Sequence, residues 1–190
     1  MARPRTFDEE RAVDAAMRAF WASGYEATST QDLCEATGLG RSSIYNTFKS
    51  KHDLYEMALA HYMDIMTASV LEVLEGDRPA RDKVRTLLDR AVDPTEGDPI
   101  GCLVVNSMVE MAPSDPAIAG RLERDRLRRF EALRAAIGAG VRAGEIDPGR
   151  DAGALAHFMI ATIAGMRVAS RGGAGRDVLK AIADTAMTAL

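Results

Sequence analysis

Residues 30–54 read TQDLCEATGLGRSSIYNTFKSKHDL, and the placement of caps and glycines in that stretch decides the fold. Thr28, Ser29 and Thr30 supply side-chain oxygens that cap a helix start, and Leu33, Cys34 and Ala36 carry a short helix as far as Gly38. A second short helix runs from about Arg41 to Phe48, with Gly40 a weaker cap than Ser or Thr. Upstream, Thr6-Phe7-Asp8-Glu9 is a capping box. It opens a helix predicted over 7–23, whose Val13, Ala16, Met17, Phe20 and Trp21 share one face and which Gly24 closes. Two short helices across a tight Gly-containing turn, held by an amphipathic helix, make a helix-turn-helix, whose second helix enters the DNA major groove.

Downstream, the helical period continues nearly to the end, and no segment alternates apolar and polar residues as a strand does. The chain is all-α, with about nine helices. Residues 51–75 carry Leu54, Ala58, Tyr62, Ile65, Met66, Val70 and Val73 on one stripe, a helix on the order of 37 Å long that can bridge two modules. Further helices are predicted over 79–92, 101–111, 116–140, 151–170 and 175–190, separated by Pro/Gly/Asp-rich breaks. Residues 1–50 form the helix-turn-helix domain and 51–190 a larger helical domain. The arginines of 116–140 alternate with acids three and four apart, which suits a solvated helix face.

The 190 residues suit one compact unit or a small module joined to a larger one. Hydrophobic residues at 47% and charged residues at 27% allow a buried core and exclude disorder. No stretch approaches the roughly 18 uninterrupted apolar residues of a membrane span, and Met1 to Thr6 lacks a signal-peptide run, so the expected setting is cytoplasmic, with no membrane partner. Cys34 and Cys102 stand far apart with no CxxC or His-rich neighbour, so neither a disulfide framework nor a metal site is indicated. No GxSxG, HExxH, Walker loop or dinucleotide fingerprint occurs, and neither an enzyme nor a cofactor is expected. A net charge of −4 excludes wholesale coating of nucleic acid, so DNA recognition must rest on local placement of charge.

The stretch from Thr30 to Leu54, with its Gly38 turn, its Tyr45 and Phe48 three apart and its Ser50-Lys51-His52, resembles the N-terminal signature of the TetR family of transcriptional regulators. Gly40 replaces the usual Ser cap and Cys34 the usual Ala. The resemblance implies a ligand-responsive regulator, commonly a repressor, that binds an inverted-repeat operator in double-stranded DNA as a homodimer and is released by a small-molecule effector. On the matching positions, Gln31, Arg41, Ser42 and Asn46 are placed to meet base edges, Arg pairing with guanine and Asn or Gln with adenine. Ser29, Thr30, Ser43, Tyr45 and Lys51 are placed at phosphates. Ser29 and Thr30 read equally as plain caps, and Tyr45 as a core residue with a wet hydroxyl. Arg3 and Arg5 read as a basic arm or a simple tail. Leu33, Ile44, Phe48, Phe20 and Trp21 are assigned to the core of this module.

An effector pocket is expected in the second module, among its Met-rich helices, with His61, Tyr62, Met66, Cys102, Asn106, Glu110, His157 and Phe158 as candidates. The small and apolar positions Phe158, Thr162, Gly165, Ile182 and Ala186 on the last two helices are expected to form the dimer interface. Cys102 is expected in the first turn of a helix, where free amides favour thiolate, so it reads either as a redox or electrophile sensor or as a small packing residue.

Overall fold

The structure is a computed structural model and describes residues 9–190; the Thr6 to Glu9 capping box, Arg3 and Arg5 lie wholly or partly outside them. The described residues form nine helices and no strand, as the sequence predicts. They are α1 (Glu9–Ser23), α2 (Thr30–Thr37), α3 (Arg41–Phe48), α4 (Lys51–Glu75), α5 (Ala80–Val92), α6 (Leu103–Glu110), α7 (Pro116–Arg142), α8 (Ala152–Arg171) and α9 (Arg176–Met187).

Local chemistry fixes most of the starts. Ser29 accepts from the Asp32 N–H while Asp32 accepts from the Ser29 N–H, closing a capping box at α2. Ser50 caps α4, Asp151 caps α8, and Asp115 with Pro116 starts α7. The helix expected over 101–111 begins only at Leu103.

Two apolar cores hold the bundle. The first joins Phe20, Trp21, Leu33, Ile44, Phe48, Leu54 and Leu59 of α1 to α4 with Leu103, Val104, Ile118 and Leu122 of α6 and α7. The second joins the end of α4 to α5, α8, α9 and the latter half of α7 through Leu88, Ile137, Met159, Ala183 and others. Packing therefore divides the molecule within α4 and α7, whereas the chain division expected at residue 50 runs through the first core. α4 belongs to both.

By length and composition α4 and α8 are long and apolar enough to cross a bilayer. In the fold α4 supplies buried residues to both cores and α8 to the second. Ala186, expected at an interface between protomers, is instead packed inside the second core at 2% exposure, because the small residues of α9 serve its own α5 and α8. Phe158 and Gly165 are exposed, and Thr162 and Ile182 are half-buried.

Candidate nucleic-acid interface

Phe20 and Trp21 of α1, Leu33 of α2 and Ile44 and Phe48 of α3 are all buried in the first core. With their apolar sides committed, α2 and α3 turn Gln31, Arg41, Ser42, Ser43, Tyr45 and Asn46 outward, all of them exposed. Ser29 stands exposed at the start of α2, with Thr30 half-buried behind it. Thr30 Oγ1 lies 3.2 Å from the Tyr45 hydroxyl, and the Arg41 guanidinium lies 5.8 Å from the Tyr45 ring centroid. These two neighbours hold the Tyr45 hydroxyl below the usual phenol range, Thr30 by its hydrogen bond first and Arg41 second. Asp32 is likewise held below the usual carboxylate range by the Ser29 N–H and then the Ser29 hydroxyl. Gln31 Nε2 donates to Glu35 at 2.8 Å, and Lys51 Nζ sits 4.3 Å above the Tyr25 ring. The face so formed offers donors and cations at both ends of a short outward helix.

Lys49 was not singled out from sequence. It is exposed at the corner between α3 and α4 with φ 63° and ψ −51°, the centre of a γ-turn in which the Ser50 N–H donates to the Phe48 carbonyl at 2.7 Å. Beside it a cleft of about 380 Å³ opens between α3, α4 and α7, lined by Phe48, Asp53, Glu56, Met57 and Arg121 among others. At its edge His52, Asp53 and Glu56 bring metal-type donor atoms within 4.8 Å of one another. All three already have partners: His52 Nε2 meets Asp115 at 2.6 Å, Asp53 closes the Ser50 cap, and Glu56 lies 4.0 Å from Arg121.

The eight pocket candidates do not converge. Tyr62 donates its hydroxyl to Cys102 Sγ at 3.5 Å, Met66 packs on the first core, and His61 faces Asp14 at 3.7 Å. Burial, and then Cys102, push the Tyr62 phenol well above its usual range. Asn106 and Glu110 do share a face of α6, as their spacing requires, but that face meets the end of α1. His157 is exposed and stacks on Phe130 with centroids 4.2 Å apart, and Phe158 beside it is 45% exposed. Cys102 occupies the N-cap position of α6 in extended backbone, one residue before the first turn where the thiol was expected.

An all-helical fold that turns a helix-turn-helix outward and keeps a second helical core behind it defines a DNA-binding transcription regulator. The family pattern described as bacterial regulatory proteins, tetR family, matches residues 12–58, and that of the tetracyclin repressor-like C-terminal domain matches residues 80–184. The HTH-type transcriptional repressor ComR of Escherichia coli (strain K12) is 31% identical over 188 residues, which are 97% of this chain and 90% of that protein. A cysteine mutant of the TetR family transcriptional regulator CifR, solved with a 26-bp double-strand operator DNA, superposes with a TM-score of 0.86 at 31% identity over 98% of each chain. A TetR transcriptional regulator from Chloroflexus aurantiacus J-10-FL gives a TM-score of 0.84 at 28% identity, covering 94% of this chain and 91% of that one. The chain belongs to the TetR family of DNA-binding transcriptional regulators.

Proposed function

We propose that the protein is a ligand-responsive repressor that binds an inverted-repeat operator as a homodimer in the cytoplasm and is released by a small molecule. The observation that carries this reading is the outward set Gln31, Arg41, Ser42 and Asn46 on α2 and α3, flanked by Ser29, Thr30, Ser43, Tyr45 and Lys51 at phosphate-contacting positions. One eight-residue recognition helix reads few bases, so useful specificity calls for two copies on a two-fold site. Phe158, Val168 and Val178, at 45%, 57% and 54% exposure on α8 and α9, supply the apolar face for pairing. Selection from random-sequence duplexes tests the reading: an inverted repeat is expected, and recovery of no common sequence overturns it. On that repeat Arg41→Ala should cost about 1–3 kcal/mol and relax one base step, whereas Lys51→Ala should weaken all duplexes alike.

A second reading makes Cys102 the sensor itself, and what favours it is the Tyr62 hydroxyl on Sγ, with the Tyr62 ring packed edge-on to Trp21 of α1 at 4.9 Å. Alkylation of Cys102 would then disturb α1 through Tyr62. The expected result is loss of duplex binding on alkylation, with the site assigned by mass spectrometry and with Cys102→Ser protected. An alkylated protein that binds unchanged refutes the sensor.

A further inference from the structure

We propose that Glu110 and Arg171 are positioning residues for DNA recognition, clasping the C-terminal end of α1 and the residues just after it and so fixing the α2–α3 reading head on the body of the molecule. This rests on the DNA-binding reading above. The last turn of any helix leaves carbonyls without partners and carries partial negative charge. Here the guanidinium of Arg171, in the last turn of α8, forks across two of them, donating to the carbonyls of Trp21 and Ala22 at 3.2 Å each. Asn106 Nδ2 donates to the Trp21 carbonyl as well, at 3.4 Å.

Beyond the helix end the polarity reverses. Glu110, the last residue of α6, accepts from the Tyr25 N–H at 2.9 Å and from the Glu26 N–H at 2.8 Å, one amide to each oxygen. The seat is shaped for this carboxylate. Gly24 has φ +88°, and a Cβ there would lie 2.9 Å from Glu110 Oε2. A further tie comes from the loop between α5 and α6, where Asp98 and the Gly97 carbonyl hold Arg18 of α1 while Asp93 holds Arg176 of α9 in a two-pronged pair.

Apolar packing of α1 on α6 is non-directional and tolerates sliding, whereas these charge-assisted bonds specify one register. A repeat read by two heads demands a set separation, and a head held in advance avoids the ordering cost on binding. α6 and α8 thus each touch the head through a named side chain, and any effector that shifts either helix acts on recognition by that route.

The test compares full-length wild type with Glu110→Gln, Arg171→Ala and Arg171→Lys. Gln keeps the volume but turns an amide NH2 against a backbone N–H, and Lys keeps one donor within reach of the same carbonyls. Binding is measured to the selected inverted repeat and to a random duplex of equal length, together with the emission of Trp21, the single tryptophan of the chain. Affinity for the repeat should fall roughly tenfold for Glu110→Gln and Arg171→Ala, about 1.4 kcal/mol, with random-duplex affinity nearly unchanged, Trp21 emission shifted and Arg171→Lys largely restored. A variant that merely unfolds would lose both duplexes together, and melting curves identify it. Repeat affinity within about twofold of wild type in both variants, with Trp21 emission unmoved, overturns the proposal. If wild type selects no repeat, the functional reading fails, and amide exchange still decides the clasp: Tyr25 and Glu26 amides that exchange no faster in Glu110→Gln than in wild type refute it.

Discussion

Asp115 serves three partners with one carboxylate. Oδ1 accepts from the Ala117 and Ile118 N–H groups at 2.9 and 3.0 Å, and Oδ2 meets His52 Nε2 at 2.6 Å. The Ile118 amide first and His52 second hold its carboxyl below the usual carboxylate range. A folded-state pKa below the unfolded value of about 3.9 means the stabilisation is fully present above that pH and is lost as pH falls through the folded value. Asp115→Asn should therefore melt below wild type at neutral pH, with the two curves converging as the pH falls below about 4. A gap that stays constant into acid would assign the loss to packing instead. The start of α7 at Pro116 was legible, since Pro in a helix's first turn is a local signal. His52 was not, because it reaches Asp115 only after α4 and α7 have packed, and no spacing in the chain encodes that meeting.

Helix limits were legible wherever a cap or breaker marks them. α3 and α4 run as predicted; α5, α6, α8 and α9 start one or two residues later than expected because a capping or extended residue, such as Pro79 or Gly101 with Cys102, was counted inside, and α7 runs on to Arg142, two residues past the expected end. What each helix face meets was not legible. Period alone put Asn106 and Glu110 together but gave no sign that α1 would be their partner. Within α7, two glycines separate these levels. A Cβ on Gly140 would fall 2.4 Å from Ala80 Cβ, where α7 crosses the start of α5, whereas one on Gly138 meets only ordinary contacts. Gly140→Ala should destabilise by about 1–3 kcal/mol through overpacking. Gly138→Ala should stabilise by about 0.5–1 kcal/mol through helix propensity. Thermal melts of the two variants are expected to move in opposite directions, and a shared direction would contradict the packing of α7 on α5.

At the scale of the molecule, the all-helical class and the outward reading head followed from caps and apolar spacing. The partition of small residues between a protomer's own core and its surface did not, since Ala186 and Gly165 look alike in sequence. Gly165 is exposed, and a Cβ there would meet open space, so Gly165→Glu should keep the fold and give monomers by sedimentation. Ala186→Glu buries a carboxylate among apolar side chains and should lose the fold itself. A Gly165→Glu protein that sediments as a dimer would refute α8 as the proposed pairing surface.

α4 has its first turns in the core of the reading head and its last turns in the core behind it, 25 residues on one axis. It is mechanically a lever. At 1.5 Å per residue its length is about 37 Å, so a tilt of about 5° at the far end sweeps the near end through roughly 3 Å, close to the 3.4 Å rise of one base step. In the two-headed repressor proposed above, an angular change of that size in α4 is enough to put a recognition helix out of step with its half-site.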